Sequence, residues 1–209
     1  MNALLLLALL SALWCALHSL LIHPPVTAWL RRRLGDAFRF YRIAYNLFAL
    51  LTLLPLLAYA RSMQGPVWFD WSGPWRVPQA LMLGTGVLLF LLGARRYDAR
   101  RFLGLAQLKE QDAGGGLARS GALDTGGILG VVRHPWYSGL LLVLWARPLA
   151  DADLVLNTVF SAYLVIGARL EERKLIAEFG ERYRAYQREV SMLVPLRWLR
   201  RRLTGSGRG

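Results

Sequence analysis

Long apolar runs with almost no charge recur along the chain and constrain its fold more than any other feature. A helix needs about 20 mainly apolar residues to cross the hydrocarbon core of a bilayer. Runs of this kind occupy residues 2–22, 41–60 and 77–94. Two shorter runs follow at 136–149 and 154–167, joined by the segment "ADAD". We predict an all-α, polytopic membrane protein with about five transmembrane helices, the last two forming a helical hairpin.

The basic residues stand in blocks between these runs and predict the orientation of the chain. Lys and Arg number 26 against 13 Asp and Glu, a net charge of +13, although 55% of the residues are hydrophobic. Five of the basic residues fall at 31–42, seven at 95–133 and eleven at 169–208, whereas the other two loops carry two and one. With five crossings, the three rich blocks lie on one side. Loops rich in Lys and Arg stay in the cytoplasm, so we expect the N-terminus outside and the C-terminus in the cytoplasm.

The same pattern argues against other classes of protein. A strong basic excess is typical of nucleic-acid-binding proteins, but uncharged runs separate the basic residues here, so we expect no nucleic-acid partner. The start "MNALLLL" lacks the basic residues of a signal peptide, and its apolar run is too long for one. We therefore interpret it as a retained span. The single Cys15 allows no internal disulfide and no multi-cysteine metal site.

The C-terminal third combines an amphipathic stretch with a basic end. Apolar side chains recur there at steps of three or four residues, at Leu175, Ile176, Phe179, Tyr183, Tyr186 and Val190. This spacing predicts an amphipathic helix on the inner membrane surface, interrupted at Gly180 and ended by Pro195. Residues 199–209 are interpreted as a basic flexible tail that adheres to the membrane. We expect a single membrane domain at 1–198, with its catalytic half at about 95–195.

Two loops carry further signals. The loop at 61–78 holds three tryptophans, which favour an aromatic belt at the membrane interface over a substrate cage. The loop at 104–130 contains three consecutive glycines at 114–116 but no phosphate-binding GxxxxGK[ST] spacing. A mobile lid and a plain linker both remain open for this loop.

Two groups of ionisable residues flank the predicted hairpin. Arg133, His134 and Tyr137 stand where the fourth run begins, and Glu171 and Glu172 stand beyond the end of the fifth. Because a short connection makes two helices antiparallel neighbours, these two groups should meet. Paired carboxylates attract a cation, and the free N–H groups of a helix start attract an anion. The sequence therefore predicts a polar pocket for a ligand that carries both charges.

Each of these residues also has a structural interpretation. Arg133 can anchor to lipid phosphates, and Tyr137 can belong to an interfacial belt. Their joint placement beside two carboxylates favours a site, since ionisable groups at this depth usually mark one. His18 and His23 could ligate haem, but a lone histidine within a membrane helix is more often hydrogen-bonded inside the bundle. We predict no metal site and leave open whether either histidine binds anything.

The pattern "RHPWYSG" followed about 30 residues later by "LEERKLIAEFGERYRAYQREVSMLVP" resembles the isoprenylcysteine carboxyl methyltransferase superfamily. The resemblance covers about 126–195, and "LHSLLIHP" and "YRIAYNLFAL" look more like its bacterial thiol methyltransferase and denitrification-associated members. It implies an integral membrane enzyme, in the bacterial inner membrane, that transfers a methyl group from S-adenosyl-L-methionine. Its expected partners are membrane lipid and a small-molecule or lipidic methyl acceptor.

The resemblance also implies roles for individual residues. In the family, the HPxY positions and the first glutamate of the pair contact the cofactor. The corresponding cofactor-binding candidates are His134, Pro135, Trp136, Tyr137 and Glu171, with Glu172 in the second carboxylate position. Arg133 and His134 are the candidate catalytic residues, and no base is assigned. Gly127 matches a family glycine shortly before the motif.

Two departures from the family pattern bear on the methyl acceptor. Many relatives have a tyrosine four residues before the motif arginine, where this chain has Leu129. Eukaryotic isoprenylcysteine enzymes have a substrate-binding arginine four residues before the first glutamate, where this chain has Gly167, although Arg169 could replace it. The expected acceptor is a small thiol or a lipid-associated group, with a small shift towards the thiol. An NADPH-dependent sterol-reductase-like enzyme and a non-enzymatic membrane protein of nitrogen-oxide metabolism are the alternatives.

Overall fold

The protein is largely helical. The computed structural model describes residues 2–63, 65–96, 100, 103–108 and 123–205. The α-helices of this part of the chain are α1 (Ala3–Leu21), α2 (Pro24–Leu34), α3 (Tyr41–Ser62), α4 (Arg76–Ala94), α5 (Pro135–Trp145), α6 (Asp151–Phe179), α7 (Glu181–Glu189) and α8 (Leu196–Leu203). Short 3-10 turns occupy Gly35–Phe40, Gly73–Trp75 and Gly127–Gly130. The three glycines at 114–116, interpreted as a lid or linker, lie outside the described residues.

Four helical segments are long and apolar enough to cross a bilayer. They are Ala3–Leu21, Pro24–Ser62, Gly73–Ala94 and Asp151–Phe179. The fourth predicted crossing, at 136–149, corresponds to α5, which is apolar but has only 11 residues. At a rise of about 1.5 Å per residue, α5 by itself is shorter than the hydrocarbon core. The predicted all-α, polytopic membrane class is confirmed.

Helices α5 and α6 are antiparallel, as the hairpin prediction requires. Trp145 at the end of α5 donates its indole N–H to the Ser161 hydroxyl at 3.0 Å. At the other end, His134 lies beside Glu171 and Glu172. Helix α6 continues well past the predicted span of 154–167, because the following "EERKLIAEF" is also helical. The carboxylate pair therefore lies on the same helix as the apolar span.

A small antiparallel sheet, which the apolar pattern did not predict, forms beside the hairpin connection. Strand β1 (Val67–Phe69) pairs with β2 (Leu149–Ala150). Trp68 donates its indole N–H to an Asp151 side-chain oxygen at 2.7 Å, and Asp153 accepts from the backbone N–H of Ala150 at 3.2 Å. The acidic residues of "ADAD" thus hold the start of α6.

The chain divides into two compact units, and α6 contributes to both. The first unit comprises the described parts of Met1–Asp70, Tyr97–Leu117 and Pro148–Phe160, and the second those of Trp71–Arg96, Ala118–Arg147 and Ser161–Gly209. All the motif residues belong to the second unit. The single domain expected at 1–198 stays a prediction.

The first unit packs around an apolar core from α1, α3 and the start of α6. Leu7, Leu56 and Leu156 are buried in this core. His18 lies in the same unit, with its Nε2 at 2.7 Å from the Tyr45 hydroxyl. His18 is therefore hydrogen-bonded within the helix bundle. His23 precedes α2 as its N-cap residue and makes no capping hydrogen bond through its side chain.

In the second unit, α4 and α5 approach closely at two glycines. A Cβ placed on Gly86 would meet the Gly139 carbonyl oxygen at 3.1 Å and the Val143 side chain at 3.0 Å. A Cβ placed on Gly139 would lie 3.0 Å from the Gly86 carbonyl oxygen. Small residues let two membrane helices approach to backbone contact. This contact holds α5, and with it the "RHPWY" motif, against α4.

We expect Gly86→Leu to destabilise the protein by about 1–3 kcal/mol, the usual cost of forcing extra methylenes into a packed interior. Gly84→Leu is the matched control on the same helix, since a Cβ at Gly84 meets none of the described residues within 4 Å. Thermal unfolding in detergent should show a lower midpoint for the first variant than for the second. Equal midpoints for the two variants would contradict the close α4–α5 contact.

The amphipathic stretch is helical, but Gly180 divides it between α6 and α7. Gly180 has a positive φ of 58°, a conformation that costs glycine least. Tyr183, Tyr186 and Val190 fold back against apolar side chains at the end of α6 and form a buried cluster. The apolar stripe assigned to the membrane surface thus packs within the protein. Burial raises the pKa of the Tyr183 phenol above its usual range, and the nearby Glu172 charge adds to the effect.

The segment interpreted as a flexible tail at 199–209 begins inside helix α8. This helix starts after Pro195, whose fixed φ suits the residue that precedes a helix. Its residues 197–202 supply four arginines, three of them in the last turn. Positive charge at a helix C-terminus offsets the helix dipole, which favours helix over the predicted flexible chain up to Leu203.

Candidate active site

The segment that leads into α5 is held by the chain that follows α7. Val132 pairs with Ser191 in an isolated parallel bridge. The backbone N–H of Arg133 donates to the Ser191 carbonyl at 3.0 Å, and that of His134 donates to the Met192 carbonyl at 3.1 Å. These bonds fix the direction in which both motif side chains leave the backbone.

Helix α5 begins directly after His134, with Pro135 as its first residue. Proline is favoured there because its missing N–H would have no helical partner. The Ser138 hydroxyl lies 3.0 Å from the His134 carbonyl oxygen and 2.7 Å from the Leu193 carbonyl oxygen, two acceptors for its proton. The first turn of α5 is therefore tied to the chain after α7 by a side chain as well as by the backbone.

Arg133 is buried and connects three elements. Its Nε donates to Glu172 Oε1 at 2.6 Å. Its Nη1 donates to the carbonyl oxygens of Gln187, at 3.2 Å, and Val190. Carbonyls at the end of a helix lack partners within that helix, so Arg133 caps α7 while it pairs with α6. This guanidinium therefore connects the start of α5 to α6 and to the end of α7.

Glu172 is buried, and partners engage both of its oxygens. Oε1 accepts from Arg133 and lies 3.2 Å from His134 Nε2. Oε2 accepts from Gln187 Nε2 at 2.8 Å. Because a carboxylate only accepts, Nε2 is the nitrogen of His134 that carries a proton in this contact. Glu172 thereby fixes the orientation of the imidazole.

Glu171, the neighbouring carboxylate, is arranged differently. Its side chain is 42% exposed, against 10% for the side chain of Glu172. One of its oxygens lies 3.7 Å from His134 Nδ1, the ring nitrogen on the side away from Glu172. Adjacent residues on a helix are rotated by about 100°, which explains why one carboxylate points inward and the other towards solvent. Glu171 is thus the member of the pair that a ligand can reach.

Tyr137 completes this exposed side of the site. Its ring stacks on the His134 ring with centroids 5.4 Å apart and planes at 12°. In the part of the chain that the structure describes, a Cβ placed on Gly167 would meet only the Tyr137 hydroxyl, at 3.9 Å. Gly167 and Glu171 lie one turn apart on α6 and so share a face. The absent side chain at Gly167 leaves room beside Tyr137 on the face that carries Glu171.

The other predicted cofactor residues face α4. Trp136 donates its indole N–H to the Phe90 carbonyl at 3.2 Å, and its ring fills the space above Gly93. Pro135 is fully buried, with its Cγ 3.5 Å from a Cβ placed on Gly93. The structure therefore brings His134, Tyr137 and the two glutamates together and directs Pro135 and Trp136 away from them.

The segment before the motif is fixed by a second ion pair. Arg96 lies 3.4 Å from an Asp124 oxygen, and its guanidinium passes so close to Gly127 that a Cβ there would be 2.4 Å from it. Leu129, at the position where many relatives have tyrosine, is buried, and its carbonyl accepts from the Tyr186 hydroxyl at 2.6 Å. Gly127 also has a positive φ of 56°, a backbone conformation that favours glycine.

A cavity of about 460 Å³ lies elsewhere in the second unit. Its polar lining residues are Thr125, Arg182, Tyr186, Glu189 and Arg201. The described residues around it include neither His134 nor Glu171. The cavity and the motif residues are therefore separate features.

Sequence reasoning missed two contributors to the site. Gln187 supplies the third hydrogen bond to Glu172, but glutamine beside an apolar stripe gives no signal of such a role. The backbone of Ser191 and Met192 supplies acceptors, for which no side-chain pattern exists. A sequence pattern carries information about side chains and not about backbone groups, so these backbone contacts could be found only in the fold.

Comparison with known proteins agrees with the motif resemblance. The model of the family described as NnrU protein matches residues 5–200. The chain belongs to the NnrU family. Its similarity to the membrane methyltransferase superfamily, inferred from the "RHPWYSG" and "EERKLIAEFG" patterns, is confirmed by the named relatives.

Several relatives of this NnrU-family chain carry names. Methanethiol S-methyltransferase 2 of Bradyrhizobium diazoefficiens is 33% identical over 96% of this chain and 76% of its own length. Methanethiol S-methyltransferase of a Pseudomonas species is 31% identical over 91% and 72%. The Pseudomonas deceptionensis enzyme of the same name is 46% identical over 66 residues, 31% of this chain and 25% of its own length. No solved structure matches the chain.

Proposed function

We propose that this NnrU-family protein is an integral-membrane methyltransferase that uses S-adenosyl-L-methionine to methylate a small thiol. The observation that carries the proposal is the reachable Glu171 carboxylate beside the stacked rings of His134 and Tyr137. The relatives named methanethiol S-methyltransferase support both the reaction and the acceptor.

The residues present fit the methyl donor, which is a sulfonium with an ammonium and a carboxylate. Glu171 offers an anionic oxygen to a cationic group. His134 directs Nδ1 towards the same space, and the absent side chain at Gly167 leaves room beside the Tyr137 hydroxyl. When bound, the donor supplies an electrophilic methyl carbon for in-line displacement. Binding and alignment are then the main tasks of the protein.

We assign different roles to the two candidate catalytic residues. Arg133 donates hydrogen bonds to Glu172 and to the carbonyls at the end of α7, so we assign it as a positioning residue. His134 keeps Nδ1 on the side of Glu171 and is the candidate that can touch a ligand. Glu172 acts through His134 by fixing the ring through Nε2.

The choice of a thiol rests on the relatives' names and on Gly167, which stands where the isoprenylcysteine enzymes have a carboxylate-binding arginine. Arg169, two residues further along α6, is exposed. A neutral thiol needs no such partner. It does need to lose its proton, because the thiolate is the nucleophile.

The direct test uses purified protein in lipid nanodiscs with methyl-labelled S-adenosyl-L-methionine and methanethiol. We expect label in the volatile sulfide, dependent on added thiol. Parallel reactions with a prenylated cysteine and with the nanodisc phospholipids should incorporate little label. Label that appears only in lipid or prenylcysteine would refute the thiol assignment, and no transfer to any acceptor would refute the methyltransferase.

Replacing Gln187 by leucine should weaken the site through Glu172. A hydrogen bond to a charged group contributes about 1.5–3 kcal/mol, so we expect the KM for the methyl donor to rise about tenfold while the KM for the thiol changes little. Gln79→Leu is the matched control, since Gln79 also donates an amide hydrogen bond in this unit, to the Ala146 carbonyl at 2.9 Å. Equal losses of donor affinity in both variants would show that Gln187 has only a general structural role.

A further inference from the structure

Helix α8 turns its leucines away from the protein. Leu196, Leu199 and Leu203 are 65%, 42% and 85% exposed. Steps of three and four residues place them on one stripe of the helix. A surface helix of a water-soluble protein has the opposite arrangement, with its apolar stripe against the core. The outward stripe therefore needs an apolar partner from outside the second unit.

The opposite side of α8 is attached to the protein through arginines. Arg197 donates through Nη1 to the carbonyl oxygens of Gln187 and, at 3.2 Å, Val190. Arg201 donates through Nη2 to the Glu189 carbonyl at 2.7 Å. These carbonyls stand at the end of α7, where helical partners are lacking. The attachment fixes which face of α8 points outward.

Two further arginines lie at the edges of the leucine stripe. At about 100° per residue, Arg200 falls beside Leu196 on one edge, and Arg202 falls on the other edge beside Trp198. The Arg202 guanidinium lies over the Trp198 ring at 5.4 Å from its centroid. The helix contains no acidic residue. An apolar stripe edged by arginine and tryptophan is the pattern of a helix that lies in a membrane interface.

We propose that α8 docks through Leu196, Leu199 and Leu203 onto the surface of an anionic phospholipid bilayer, with Arg200 and Arg202 binding headgroup phosphates. Charge complementarity favours this partner, since a second copy of the chain would bring its own four α8 arginines against these. The stripe spans only two helical turns, too little for a stable protein–protein interface. A bilayer is available to the same chain, because four of its helical segments are long and apolar enough to cross one.

A spin label at position 199 tests the docking in the full-length protein. Cys15→Ala removes the native thiol, and Leu199→Cys accepts a nitroxide. In nanodiscs that contain phosphatidylglycerol, we expect more collisions of the label with oxygen and fewer with a water-soluble nickel chelate than in purely zwitterionic nanodiscs. Each arginine near an anionic surface favours binding about fivefold. Arg200→Gln with Arg202→Gln should therefore reduce the ratio of docked to undocked helix about 25-fold.

Three results would overturn the proposal. Equally high nickel accessibility in both bilayers, with and without the arginines, would place the stripe in water, and equally low accessibility would show that the anionic headgroups play no part. A short spin–spin distance between labels on two molecules would show that a second copy covers it. Because Leu199, Arg200 and Arg202 are exposed, the variants should unfold at the same temperature as the parent, which the same samples verify.

Discussion

Arg133→Met should lower the free energy of unfolding by about 3–5 kcal/mol, the range for removing one partner of a buried ion pair. The substitution leaves the Glu172 carboxylate buried without its guanidinium. It also removes the donor that the Gln187 and Val190 carbonyls share at the end of α7. Thermal or denaturant unfolding of the purified protein measures the loss. We expect methyl transfer to fall with it, because Glu172, which orients His134, loses the guanidinium that holds it in place.

A double variant separates stability from function. Arg133→Met combined with Glu172→Leu replaces the pair by apolar groups, which often restores stability. We expect it to unfold near the parental midpoint and yet to bind the methyl donor poorly, since nothing then orients His134 through Nε2. Arg173→Met, at an exposed position on the same helix, is the matched control and should change neither property. A single Arg133→Met variant as stable as the parent would show that Arg133 does not stabilise the contacts between α5, α6 and α7.

Glu171→Gln should have the second largest effect, on ligand binding alone. Removing the charge takes about 1.5–3 kcal/mol from a charge-assisted hydrogen bond, so we expect the KM for S-adenosyl-L-methionine to rise by about 10–150-fold. Stability should stay unchanged, because this side chain is 42% exposed and its nearest basic partner among the described residues is His134, at 3.7 Å. Steady-state kinetics with varied donor measures the effect.

Glu178→Gln is the control for the loss of one negative charge from α6. Glu178 is exposed on the same helix and should leave donor kinetics unchanged at physiological ionic strength, where distant charges are screened. If both substitutions raise the KM equally, the effect belongs to the overall charge of α6. A normal donor KM in Glu171→Gln would remove Glu171 from the site.

The convergence of the two motif groups could be predicted from the sequence. Two apolar runs joined by four residues had to form an antiparallel hairpin, and this placed His134 beside Glu171 and Glu172. The sequence could not tell which glutamate is buried, because that depends on where Arg133 and Gln187 lie in three dimensions. The difference between the two carboxylates is therefore a result of the fold.

The location of the apolar stripes was harder to predict. A repeat of three and four residues shows that a helix has an apolar face, but it does not show what covers that face. Tyr183, Tyr186 and Val190 turn inward because Gly180 reverses the chain against the end of α6. The leucines of α8 turn outward because its arginines bind the carbonyls at the end of α7. The same sequence signal thus leads to opposite placements.

We propose that Glu171, His134 and Tyr137 together hold the methyl donor. A structure of the protein in nanodiscs with sinefungin, an analogue that carries an amine in place of the methylated sulfonium, tests it most directly. We predict that an amino group of the analogue lies about 3 Å from a Glu171 oxygen, beside the His134–Tyr137 stack. Sinefungin bound instead in the cavity lined by Arg182 and Arg201, with Glu171 in contact only with water, would show that these three residues do not form the donor site.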